Sequence, residues 1–251
     1  MKIGLCAGPE QAARVKRLGF DYLEVNATEI GRMEDAAFVA ALCDVQASCL
    51  PVLRSNCLFP GEINLMADSG DVIDRWLQRT MPRLRRLGVE TAVFGSGRSR
   101  QRPETMPYPM ALRRLLQAAR ITGDCARANG LRIAMEPLNP GETNMLNTLA
   151  ETAAFAAAAD HPAVGLLADY YHVAKGGEPV DDLLRLTGLW HVHVAAAAGR
   201  VWPVEPEDGL SRFMQALKQS GYDGTVSVEA NSSDWEADAP RTLDLLRGIT
   251  A

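Results

Sequence analysis

Four apolar runs in this 251-residue chain end on, or carry near their end, a side chain that could bind a cation or move a proton. Residues 131–135 run straight into Glu136 in LRIAMEPLNPGETN, with Glu142 six residues on. GLLADYYH delivers Asp169, WHVHVA carries His193, and TVSVEAN delivers Glu229. Pro137 and then Pro140-Gly141 forbid a helix from continuing through Glu136, so that acid sits at a strand's end. A carboxylate there is either solvated at a loop mouth or converges with others on a cation. One acid at a strand end is ordinarily a solvated loop residue, but four potential ligands on successive runs ask for a shared purpose. Three carboxylates gathered in one concave site repel each other unless protons or a divalent ion compensate them. With one imidazole they form a hard donor set, suited to Mn²⁺, Mg²⁺ or Co²⁺ rather than to thiolate-rich structural zinc. His191 and His193 share one face of their strand, since side chains repeat every second residue, and only one need bind metal. His172, three past Asp169, is by spacing either a packing residue in an aromatic loop or a hydrogen-bonding partner for substrate.

Such residues meet only if the elements carrying them are parallel and end at one face. Short β-type runs alternate with amphipathic helical ones about every thirty residues. Strands are expected at 2–7, 22–26, 48–53, 91–94, 131–135, 163–168, 189–195 and 225–229. Helices are expected at 10–18, 34–44, 71–87, 110–128, 148–159, 181–186, 209–220 and 240–247, several closed by a glycine. The connection after the third strand, RSNCLFPGEINLMADSGD, is longer than a turn requires and has the length of a lid. The loop GSGRSRQRP places Arg98, Arg100 and Arg102 after the fourth strand, either solvated or cradling an anion. It lacks the spacings of a nucleotide-binding loop. Eight strand-helix units without a linker point to an α/β fold, a single-domain (β/α)8 barrel spanning 1–251. A doubly wound sheet would need a phosphate-binding turn after its first strand, which CAGPEQ does not offer.

The composition narrows the function classes. A net charge of −5 disfavours nucleic acid as a partner. No run approaches eighteen apolar residues and MKIGLCAGPEQ is no signal peptide, so a cytoplasmic protein without membrane association is expected. Five cysteines without a CxxC read as buried reduced thiols.

EPLN at Glu136, DYYH at Asp169 and His172, HVH at His193 and VEAN at Glu229, together with FGSG at 94–97 and NCLFPGE at 56–62, resemble the xylose isomerase-like barrel superfamily. The likeness runs over nearly the whole chain and is nearest to its ketose 3-epimerases and hydroxypyruvate isomerases. It implies one divalent ion held by Glu136, Asp169, His193 and Glu229 and coordinating adjacent carbonyl and hydroxyl oxygens of a small ketose or keto acid. Glu136 and Glu229 would lie on opposite faces of the sugar, one removing and one returning a proton through a metal-stabilised cis-enediolate. Return to the same carbon gives an epimer, and to its neighbour an aldose-ketose isomer. Glu142 and His172 would bind substrate oxygens. Outer helices of such barrels often pair, which leaves room for a dimer or tetramer.

One stretch departs from that pattern. After the strand-seven histidine the family carries an Asp three residues on and an Arg six on, whereas this chain reads HVHVAAAAGR. Ala196 takes the Asp position and Arg200 is one residue late, reaching the site as a substrate-binding residue only if the loop bulges. The leading expectation is a metal-dependent epimerase or isomerase of sugars. A dehydratase on the same scaffold and a degenerate, non-catalytic sugar binder are the alternatives. A three-zinc abasic-site endonuclease would need more ligands than the four histidines offer.

Overall fold

Continuous apolar runs separated by helices are what a parallel sheet covered on its outer face requires. In a computed structural model, which describes residues 1–250, eight such runs pair in sequence order and close into a barrel. The strands are β1 (Lys2–Cys6), β2 (Tyr22–Asn26), β3 (Val52–Asn56), β4 (Thr91–Phe94), β5 (Arg132–Met135), β6 (Val164–Asp169), β7 (Leu189–Val194) and β8 (Thr225–Val228). Every neighbouring pair is parallel, including β8 with β1. The expected (β/α)8 architecture is therefore the one observed.

The helices are α1 (Ala12–Arg17), α2 (Ala27–Arg32), α3 (Asp35–Ser48), α4 (Gly70–Leu87), α5 (Tyr108–Ala128), α6 (Leu149–Ala159), α7 (Tyr170–Gly176), α8 (Asp208–Gln219) and α9 (Trp235–Thr250). Two short ones, α2 and α7, were not expected. Each begins where a strand ends on a side chain able to cap it: Asn26 accepts from the Glu29 amide, and Asp169 from the Tyr171 and His172 amides. The stretch expected as a helix at 181–186 is instead a 3₁₀ segment, Val180–Arg185. The third strand lies later than the expected 48–53, because α3 continues to Ser48 and stops only at Cys49, whose φ is +52°. Pro51 then follows, and pairing with β2 begins at Val52.

The barrel interior is filled by unequal side chains. A Cβ on Gly4 would fall 2.2 Å from the Tyr22 ring, so glycine there lets the ring lie across the barrel, with its hydroxyl 2.6 Å from Ser227 Oγ. The long connection between β3 and α4, residues 57–69, is packed down. Leu58, Phe59, Leu65 and Met66 are buried, the Phe59 amide donates to Ser96 Oγ, and the Leu65 amide donates to the Ser99 carbonyl. All five cysteines are free, but only Cys125 is buried, so the expectation of five buried thiols is corrected: Cys43, Cys49 and Cys57 are exposed. No helix among the described residues is long and apolar enough to cross a membrane.

Candidate metal centre

Each of the four expected ligands arrives from its own strand end. Glu136 directly follows β5, Asp169 closes β6, His193 lies in β7 and Glu229 directly follows β8. Ligand atoms of the four lie within 4.8 Å of one another. His193 Nδ1 is the hub, 3.1 Å from Glu136 Oε1, 3.6 Å from Glu229 Oε2 and 3.9 Å from Asp169 Oδ2. The acids do not simply drift into this arrangement. Asp169 Oδ1 caps α7 through the Tyr171 amide at 2.6 Å, which turns Oδ2 toward the centre. Glu229 Oε1 accepts from Asn56 Nδ2 at 2.8 Å, while Oε2 meets Arg200 Nη2 at 2.5 Å.

Glu136 is held from two sides. A Cβ on Gly95 would fall 1.6 Å from its Oε2, so the backbone after β4 can sit beside the carboxylate only as glycine. Arg100, wholly buried, donates to the Glu136 carbonyl at 2.7 Å and the Phe94 carbonyl at 3.3 Å. Burial pushes this guanidinium down to about 10. Of the three arginines expected to be solvated or to cradle an anion, Arg98 is exposed but Arg100 is turned inward. Arg100 clamps the β4 and β5 ends, and Arg102 donates to the Met106 carbonyl.

Crowding and burial perturb the acids in opposite directions: against burial, His193 and Arg200 hold Glu229 below the usual carboxylate range. Burial, and then the neighbouring Glu229, push the Asp169 carboxyl up to about 6 against the pull of His193. Burial likewise raises Glu136 above the usual carboxylate range. His193 is driven well above an ordinary imidazole: burial opposes this, but Glu24, Glu229 and the Glu136 hydrogen bond outweigh it. A divalent ion would relieve the same repulsion without the protons. Three carboxylate oxygens and an imidazole nitrogen fit Mn²⁺, Mg²⁺ or Co²⁺, and the donor set leaves room for substrate oxygens.

The three residues expected at the substrate also gather here. His172 is buried, and its Nδ1 accepts from the Asn139 amide at 3.1 Å and from Asn139 Nδ2 at 2.9 Å. Nε2 therefore carries the proton, and it has no partner among the described residues. Of the two readings open to this residue, packing or hydrogen bonding, an unmatched buried donor 3.8 Å from Asp169 Oδ2 favours the second. Arg200 does reach the site. Gly199 and Arg200 both have positive φ, and the Ala196 amide closes the turn onto the Val201 carbonyl at 2.8 Å. The guanidinium then stacks on Tyr171 at 4.9 Å and pairs with Glu142 as well as Glu229. Ala196 is buried and brings no carboxylate. The nearby Glu207 accepts from the Ala197 amide and the Tyr170 hydroxyl.

Sequence reasoning missed Asn56, Asn139 and Glu24. The first two stand inside the NCLFPGE and EPLN motifs and were legible there. Glu24 is an acid in the middle of the apolar YLEVN strand, and it is completely buried beside His191 and His193. Its period-two register with the barrel interior was the available signal.

A family model described as xylose isomerase-like TIM barrel matches residues 12–249. The chain is similar to the ketose 3-epimerase of Arthrobacter globiformis, 30% identical over 133 residues, 51% of this chain and less than half of that protein, 45%. It is also similar to the D-psicose 3-epimerase of Agrobacterium fabrum, 25% identical over 226 residues, 86% of this chain and 76% of that one. A crystal structure of D-psicose 3-epimerase in the presence of D-fructose superposes with a TM-score of 0.85 at 20% identity, covering 99% of both chains.

Proposed function

Because the chain belongs to the xylose isomerase-like TIM barrel family, we propose that it is a divalent-metal-dependent sugar epimerase or isomerase acting on a small ketose or keto acid. The observation that carries this reading is the convergence of Glu136, Asp169, His193 and Glu229 within 4.8 Å. The names of its ketose 3-epimerase relatives agree with it. A divalent ion held by those four side chains supplies a Lewis acid that eases loss of a proton from the carbon beside a carbonyl.

The chain's own residues do the rest. Glu136 and Glu229 follow β5 and β8, on either side of the β7 strand that carries His193, which supports a role for both as proton carriers. One takes the proton from the substrate carbon and the other returns one, to the opposite face of that carbon in an epimerase or to the next carbon in an isomerase. The enediolate between those steps needs its oxygens held, and His172 Nε2–H is a donor fixed by Asn139 for that task. Arg200 and Glu142, paired at 3.2 Å, offer a donor and an acceptor for hydroxyls at the outer edge. The replacement of the expected Asp by Ala196 had motivated a silent sugar binder. Against that stands the arrival of Arg200 at Glu229, which keeps a charged contact at the mouth. Soluble protein reconstituted with Mn²⁺, Co²⁺ or Mg²⁺ in D₂O should place deuterium at a single carbon of at least one ketose. A broad panel with no incorporation would overturn the reading, and loss of water seen by mass would move it to the dehydratase.

A further inference from the structure

We propose that Glu24 is a positioning residue that holds His193 in the tautomer whose Nδ1 is free for the cation, an inference that rests on the metal-centre reading above. Glu24, His191 and His193 are all 0% exposed, so their hydrogen bonds have no water to substitute for them. Glu24 Oε1 lies 3.0 Å from His193 Nε2, and Oε2 lies 2.7 Å from His191 Nε2. A carboxylate only accepts, so both rings carry their proton on Nε2.

The rest of the network agrees with that assignment. His191 Nδ1, left as an acceptor, lies 2.9 Å from Thr225 Oγ1. That hydroxyl already accepts from Arg54 Nε at 3.0 Å, so its own proton is free to go to His191. Arg54 is anchored in turn on Glu90 at 2.9 Å. With a cation on His193 Nδ1 in place of the proton that Glu136 otherwise attracts there, each donor from Arg54 to His193 finds one acceptor with both rings neutral. At the end of the relay His193 presents Nδ1 to Glu136, Glu229 and Asp169. A ligating imidazole whose second nitrogen donates to a carboxylate has a fixed ring orientation and a more basic ligand atom. A carboxylate kept only to fill space would be served as well by a hydrocarbon, and it would not face two imidazoles.

The test compares Mn²⁺ affinity by titration calorimetry in the wild type, Glu24→Gln and Glu24→Met, with circular dichroism to confirm folding. Glu24→Met fills the space and removes both acceptors, so affinity should fall about 10- to 100-fold. Glu24→Gln should lose much less. Its amide oxygen still accepts from His193, and its NH₂ can donate to His191 if the His191 proton moves to Nδ1, 3.1 Å from the Thr225 carbonyl. A second readout is the ¹⁵N ring spectrum of the Zn²⁺-loaded wild type, which should show His193 protonated on Nε2. A folded Glu24→Met protein within about threefold of wild-type affinity overturns the proposal. So does a His193 ring bound to metal through Nε2, a result that also decides the matter if Glu24→Met fails to fold. Wild-type protein that takes up no Mn²⁺ would instead remove the metal centre itself, and the role of Glu24 with it.

Discussion

Adding one methyl group at Gly95 should disable the centre while leaving the barrel standing. Gly95 follows β4 and has no positive φ, so alanine meets no backbone strain there. Its Cβ would nevertheless lie 1.6 Å from Glu136 Oε2 and 2.9 Å from Glu136 Cδ. Restoring an ordinary 3.4 Å contact requires the carboxylate oxygen to retreat about 1.8 Å. It has little room to do so, being 4% exposed with its other oxygen 3.1 Å from His193 Nδ1. Overpacking of this kind costs about 1–3 kcal/mol of stability. Misplacing a reacting group by about 1 Å costs on the order of 100-fold in rate. Gly95→Ala should therefore melt cooperatively a few degrees low and lose about 100-fold or more in solvent-deuterium exchange. Its Mn²⁺ affinity, measured by calorimetry, should fall in parallel. Gly176→Ala, where the nearest atom would be 3.6 Å away, is the control and should match wild type in all three. Wild-type exchange and affinity in Gly95→Ala would refute the idea that Glu136 is held where it must act.

Four other outcomes are expected. Arg200→Ala removes the guanidinium that pairs with Glu142 and Glu229, and loss of one charge-assisted hydrogen bond to substrate, about 1.5–3 kcal/mol, should lower kcat/KM about 10- to 100-fold in steady-state assays. His172→Phe keeps a ring but loses the Nε2 donor, and KM should rise about tenfold while Mn²⁺ affinity holds. Arg100→Met leaves the Glu136 carbonyl without its donor and the Phe94 carbonyl with the Glu136 amide alone, and chemical denaturation should show a loss of about 1–3 kcal/mol. Mn²⁺ at about one hundred times its dissociation constant should stabilise the fold by about 2.7 kcal/mol, and EDTA should reverse the shift in melting temperature.

The barrel and the convergence of Glu136, Asp169, His193 and Glu229 were legible because the relevant signals are local. An apolar run halted by Pro137 fixes Glu136 at a strand end, and the same logic places Asp169 and Glu229. What the sequence did not yield depends on the third dimension. SCLPVL reads as a strand from Ser48, yet α3 packing carries the helix to that residue and the pairing with β2 starts at Val52. GSGRSRQRP reads as exposed and basic, yet Arg100 turns inward because the Phe94 and Glu136 carbonyls leave acceptors for it. Glu24 lies inside the apolar YLEVN run, and only the closure of the barrel, which brings β7 within reach of β2, sets two imidazoles at its oxygens.

The turn from Ala196 to Val201 bears on how relatives of this protein are recognised. Comparison column by column scores an acid lost and a cation displaced, and would file the chain among sequences that have let their chemistry decay. Measured by distance from Glu229, the cation reaches the mouth, carried there by a turn with two left-handed residues, Gly199 and Arg200. Other chains with one extra small residue in this turn should be grouped by where the guanidinium lands, not by where it falls in the string.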